Sequence, residues 1–80
     1  MAESFWDSEQ LIAEVRKNSR GEVIAIKLVT KNNRRYVDVR NFYVDKDGGL
    51  APAKGIALPI DLAEQVAMHI KDAVAIGQSD

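Results

Sequence analysis

The sequence predicts an α+β domain: a four-stranded, bent antiparallel sheet followed by one C-terminal helix, in the order β-β-β-β-α. Three observations carry this expectation. Apolar and β-branched residues alternate with a period of two from residue 22 to 31, and again from residue 34. Turn-forming clusters separate the stretches: Asn-Ser-Arg-Gly at 18–21, Asn-Asn at 32–33 and Asp-Gly-Gly at 47–49. After Pro59 the apolar spacing changes to three and four.

Residues 1–10 are short and acidic, with Phe5 and Trp6 their large apolar groups. They predict a flexible tail; Trp6 is either a stacking group on that tail or, the favoured reading, docked on the sheet edge or on a second subunit. The next stretch carries two periodicities: Leu11, Ile12 and Val15 fit a helical face, whereas Leu11, Ala13 and Val15 alternate as a strand. The turn cluster at 18–21, leading into another strand, favours a strand. In the second strand Ile24, Ile26 and Leu28 share one face, and Ala25, Lys27 and Val29 the other. Asn at 32 and 33 suits a turn because Asn tolerates positive φ.

The third strand runs from about 34 to 45, with Val37 and Val39 alternating against Tyr36, Asp38 and Arg40. The alternation slips at Asn41, Phe42, Tyr43 and Val44, which predicts a bulge or a strong bend. The fourth strand, about 50 to 58, contains Pro52 and Gly55 and is therefore expected at an edge or bent. Pro59 suits the first turn of a helix. That helix, 60 to about 76, carries the stripe Leu62, Val66, Ile70, Ala73 and Val74, widened by Ala63, Ala67 and Ala75. Asp61 and Glu64 favour its N-terminal dipole, and Gly77 is the expected stop. The expected domain thus spans 11–77, with a short tail at 78–80.

A chain of 80 residues makes one small domain, and such a chain buries only about 60 to 65% of its unfolded surface. There is no Cys to staple it, and His69 is its single His. Neither a cofactor nor a metal site is expected, and oligomerisation is the expected remedy for so small a core. Eleven Lys and Arg against twelve Asp and Glu leave a net charge of −1. The distribution matters more than the sum. Ten of the cations fall between Arg16 and Lys54, while acids concentrate toward both ends. No apolar run approaches the roughly 20 residues of a membrane span, and the N-terminus lacks a signal-peptide pattern. A cytoplasmic protein is expected.

Lys27, Lys31, Arg34, Arg35, Arg40 and Lys54 come from adjacent strands and turns. They form either a continuous phosphate-binding track or an ordinary solvated surface laced with Glu22, Asp38 and Asp45. Tyr36, Phe42 and Tyr43 are candidates for base stacking; Phe42, without a polar handle, is expected in the core, and Tyr43 exposed. The run Asp45-Lys-Asp-Gly lacks the further acids of a calcium loop and reads as a hairpin turn. Gly55 in Lys54-Gly-Ile is too isolated for a phosphate loop and suits a bend or a close strand approach. Asp38 and Asp45 are expected to pair with Arg or to finish turns. His69 has no converging partners, so an enzyme is not expected.

The ordered set Val37-Asp-Val-Arg40, Phe42-Tyr43, Asp47-Gly48, Pro52 and Lys54-Gly-Ile-Ala-Leu58 resembles the positive cofactor four family of transcriptional coactivators. The run from Ala13 to Ile26 resembles the first two strands of its short bacterial members. The resemblance covers about residues 12 to 75. It implies a strongly bent sheet followed by a helix, a homodimer formed through helices and sheet edges, and a β-surface that binds single-stranded DNA or melted duplex. Arg40 matches a family Arg in the third strand, Tyr43 falls where a stacking Trp is frequent, Lys54 matches the cation before Gly-Ile, and Lys27 a cation of the second strand. Ala51, Ala53, Val29 and Ala63 depart from the pattern, each removing charge or stacking surface.

The expected function is single-stranded DNA binding by a homodimer with weak sequence preference, in transcription or repair and without a membrane. The expected contacts are Lys27, Lys31, Arg34, Arg35, Arg40, Tyr43 and Lys54. The alternative is a protein-interaction or dimerisation module with little affinity for nucleic acid.

Overall fold

A computed structural model describes residues 5–79. The element order is β1 (Ser8–Arg16), β2 (Val23–Lys31), β3 (Arg34–Val44), β4 (Leu50–Pro59) and α1 (Ile60–Gln78). The strands form one antiparallel sheet in sequence order, so β1 and β4 are its edges. Pro52 is thus confined to an edge, where a missing ladder donor is tolerated.

Turn chemistry fixes the registers. Asn32 and Asn33 have φ of 52° and 66°, and Lys31 faces Arg34 across them. Positive φ at both central residues is what a type I′ hairpin requires. Between β1 and β2, the Asn18 side-chain oxygen accepts the amides of Arg20 and Glu22 at 3.0 and 3.3 Å. Between β3 and β4, Asp45 Oδ1 accepts the amides of Asp47 and Gly49 at 2.9 and 3.0 Å. Asp45 therefore finishes a turn, as its sequence context suggests.

β1 is a strand, and it starts at Ser8, paired with Thr30, ahead of Leu11. Residues 1–4 of the expected tail lie outside the described residues. β1 carries a bulge at Ile12, because Leu11 faces Lys27 while Ala13 faces Ile26. A second irregularity lies where the alternation of β3 slips, but the extra residue belongs to β4. Arg40 faces Gly55 and Phe42 faces Pro52, so Ala53 and Lys54 together oppose Asn41. Along β2, by contrast, β3 keeps unbroken register from Arg34 to Phe42. The apolar residues that break the pattern in β3 are accommodated by its neighbour. Gly55 is required beside this bulge: a Cβ there would lie 2.6 Å from the Val39 carbonyl oxygen and 2.7 Å from Arg40 Cβ.

The registers sort the side chains onto two faces. One, here the charged face, carries Glu9 and Leu11 of β1, Ala25, Lys27, Val29 and Lys31 of β2, Arg34, Tyr36, Asp38, Arg40 and Phe42 of β3, and Ala57 of β4. The other, the aliphatic face, carries Ile24, Ile26 and Leu28 beside Val37 and Val39, with Ile56 and Leu58 following. Among the described residues the buried ones are Ala25, Val29 and Asp38, all on the charged face.

Pro59 flanks the N-terminus of α1, which has Asp61 in its first turn and touches β3 and β4. It runs through Gly77 to Gln78, past the expected stop. Ser79 ends it, donating both its amide (3.3 Å) and its hydroxyl (2.8 Å) to the Ile76 carbonyl. This cap closes the last turn without a left-handed glycine. None of the helix is buried, and Leu62, Ile70 and Val74 stand about half exposed. The radius of gyration is 14.6 Å, against about 12 Å for a compact globule of this length.

Candidate nucleic-acid interface

The charged face is organised around Arg40. Its Nε and Nη2 donate to the two carboxylate oxygens of Asp38 at 3.2 and 3.0 Å, and its Nη1 donates to the Ala53 carbonyl at 3.0 Å. The two residues alternate on β3 with one residue between them, which puts both on the same face. Asp38 is 3% exposed. A carboxylate buried that deeply is tolerable only when paired and hydrogen-bonded. The hydrogen bond to Asp38 raises the pKa of Arg40, against the lowering effect of burial. The Arg40 guanidinium therefore stays charged below strong alkali. Because Arg40 Nη1 reaches Ala53 in the bulged stretch of β4, it also ties the bulge to the face.

Lys27 and Lys31 follow along β2, two strand repeats apart. Lys27 Nζ lies 3.2 Å from Glu9 Oε1 and 5.3 Å from the centroid of the Phe42 ring. Lys31 Nζ donates to the Phe5 carbonyl at 2.7 Å and stands 4.7 Å above the Phe5 ring, with Asp7 Oδ1 at 4.0 Å. Phe42, expected in the core, instead lies half-buried on the charged face beneath a lysine. A one-layer sheet offers no interior on that side, and the ring instead lies beneath the Lys27 ammonium.

The segment before β1 is held on the same face. The Asp7 amide donates to the Thr30 carbonyl at 2.7 Å, and Asp7 Oδ2 accepts the Asn32 amide at 2.9 Å. Trp6 is half-buried, with ring centroids 5.7 Å from Tyr36 and 4.9 Å from Phe5. These side chains surround a concavity of about 560 Å³ lined by Trp6, Glu9, Lys27, Arg40, Phe42 and Pro52, among others. A site of that size with flat and cationic walls can hold a planar, negatively flanked group.

Of the seven residues predicted from sequence, Lys27, Lys31, Arg34 and Arg40 are brought together on the charged face. Arg35, exposed Tyr43 and Lys54 fall on the opposite side of the sheet; Lys54 lines a shallow depression with Ile24, Val39 and Ile56. Sequence reasoning placed Asp38 correctly as a partner of Arg. The sequence favours a docked Trp6 over a stacking one and gives no sign of Glu9 at the interface, because their contacts depend on residues 30 and 18 positions away. His69 Nδ1 stands 3.6 Å from Asp72 Oδ2 on the exposed helix, away from this face. Among the described residues, no group of three or more His, Asp or Glu is placed to hold a metal ion, and no helix is long and apolar enough to cross a membrane.

The family profile described as Transcriptional Coactivator p15 (PC4) matches residues 19–69. Two crystal structures of a PC4 homolog from Burkholderia pseudomallei are similar to this chain. The tetragonal form is 37% identical, covering 84% of this chain and 98% of that one, with a TM-score of 0.74. The orthorhombic form is 35% identical, covering 96% and 100%, with a TM-score of 0.70. No curated protein gives a significant match. The chain belongs to the PC4 family, a non-enzymatic family known for binding single-stranded DNA.

Proposed function

We propose that this PC4-family chain binds single-stranded DNA on its charged face, as a homodimer, in a transcription-regulating role inside the cytoplasm. The observation that carries the reading is the row Lys27, Lys31, Arg34 and Arg40 on one face, beside the aromatic rings of Trp6, Tyr36 and Phe42. Cations at strand spacing grip successive phosphates, and half-open rings accept bases that a duplex keeps stacked within it. Few groups are placed to read base edges, so sequence preference is weak. Arg35, Tyr43 and Lys54, on the opposite side of the sheet, add little to this contact.

The dimer follows from what one chain leaves open. Ile56 on the aliphatic face and Leu62, Ile70 and Val74 on α1 stand about half exposed, and contiguous open apolar surface marks an interaction site. A second copy brings the matching surfaces by symmetry.

The cations of the charged face already have partners: Glu9 for Lys27, Asp7 and the Phe5 carbonyl for Lys31, and Asp38 for Arg40. That observation favours the second reading, a dimerisation module with little nucleic-acid affinity. Fluorescence anisotropy of a labelled single-stranded oligonucleotide, at low and near-physiological salt beside a duplex of equal length, separates the two. Salt-sensitive binding that prefers the single strand is expected. No binding at low salt overturns the first reading in favour of the second.

A further inference from the structure

We propose that Trp6 is a nucleobase-stacking residue, and that the concavity it walls on the charged face receives one unstacked base of a bound single strand. The inference rests on the nucleic-acid reading and adds to it a residue from the segment before the first strand.

Trp6 is anchored on both sides along the chain. Lys31 Nζ donates to the Phe5 carbonyl at 2.7 Å, and Asp7 is joined to Thr30 and Asn32 by hydrogen bonds of 2.7 and 2.9 Å. The indole is tilted 41° against the Tyr36 ring and stands nearly perpendicular, at 87°, to Phe5. It is thus held in a defined orientation while remaining partly open. Pre-oriented rings stack a ligand at low entropic cost.

The surroundings choose the ligand. Lys27 and Arg40 line the same concavity, with Phe42 and Pro52 supplying flat apolar wall. A flat group tethered to an anion suits this arrangement: the ring meets Trp6 while the phosphate competes with Glu9 for Lys27. A purely aliphatic ligand leaves the cations unused, and a duplex keeps its bases inside.

Trp6 is the sole Trp of the chain, so its emission reports on this site alone. The full-length protein is titrated with oligothymidylate, following both Trp emission and the anisotropy of the labelled strand. The expected result is quenching that saturates together with the anisotropy. Trp6→Ala is expected to weaken binding about tenfold with an unchanged salt slope, because no phosphate contact is lost, and Trp6→Phe to retain most of the affinity. Far-UV circular dichroism checks that Trp6→Ala folds; if it does not, quenching and Trp6→Phe carry the test. Unchanged emission at saturation overturns the proposal, as does a folded Trp6→Ala that binds as well as or better than the parent. Parent protein that gives no anisotropy change at low salt overturns the nucleic-acid reading itself, and this inference with it.

Discussion

On the charged face Ala25, Val29 and Asp38 are at most 3% exposed, whereas on the aliphatic face Ile24, Ile26, Leu28, Val37 and Val39 remain half-buried and Ile56 is 56% exposed. The ordinary order is inverted, since apolar surfaces are normally the closed ones. The charged face is closed by the chain itself: Arg40, Lys27 and Lys31 flank the buried Ala25 and Val29, their heads paired with Asp38, Glu9 and Asp7. The aliphatic face lacks a second layer, because α1 touches β3 and β4 and leaves β1 and β2 without helical cover. One face is covered by its own chain; the other stays open.

The largest effect that tests this contrast comes from charging the open face. Ile26→Asp is expected to abolish the proposed dimer and most of the folded structure, because an unpaired carboxylate buried against apolar neighbours costs several kcal/mol. Light scattering and circular dichroism check it. A folded protein of unchanged mass and melting temperature would mean that the aliphatic face needs no cover.

Next comes the pair that closes the charged face. Arg40→Ala is expected to destabilise by about 3 kcal/mol, because it leaves Asp38 buried and uncompensated. Thermal unfolding measures this. Since Arg40 carries a raised pKa, its contribution is fully present below the unfolded value and is lost only as pH climbs through the folded one. The stabilisation is therefore constant across neutral and acidic pH on the Arg side. Arg40→Ala consequently confounds binding with folding, and Lys27 is the cleaner probe of contact with DNA.

Face-by-face substitution gives a smaller, more selective effect. Lys27→Ala is expected to weaken single-strand binding severalfold and to reduce the salt slope by about 0.7. Tyr43→Ala and Lys54→Ala, on the opposite side, are expected to change affinity less than twofold, a difference of about 0.4 kcal/mol. Equal losses from both faces would mean that the strand wraps the sheet edge. The mildest effect expected on the charged face itself is that of Glu9→Gln, which removes the acid at 3.2 Å from Lys27. It is expected to tighten binding about threefold, the scale of an exposed ion pair, as read by anisotropy at low salt.

The fold was legible because its signals are local. Asn32 and Asn33 adopt the positive φ their side chains tolerate, Gly55 sits where a Cβ would strike β3, and Pro52 lies on an edge strand. Half of the interface was legible for the same reason: alternation along one strand places Asp38 beside Arg40 on a single face. The rest depended on which residue of a neighbouring strand stands opposite.

The sequence by itself determined four strands, their turns, the following helix and the family, since period, turn residues and motif order act over a few positions. Tertiary structure alone decided that the bulge falls in β4 instead of β3, that Lys54 and Tyr43 part from Lys27 and Arg40, and that Trp6 and Glu9 join them. The physical reason is register. A shift of one residue in one strand moves every later side chain to the other face, and no stretch of a single strand encodes its neighbour's shift.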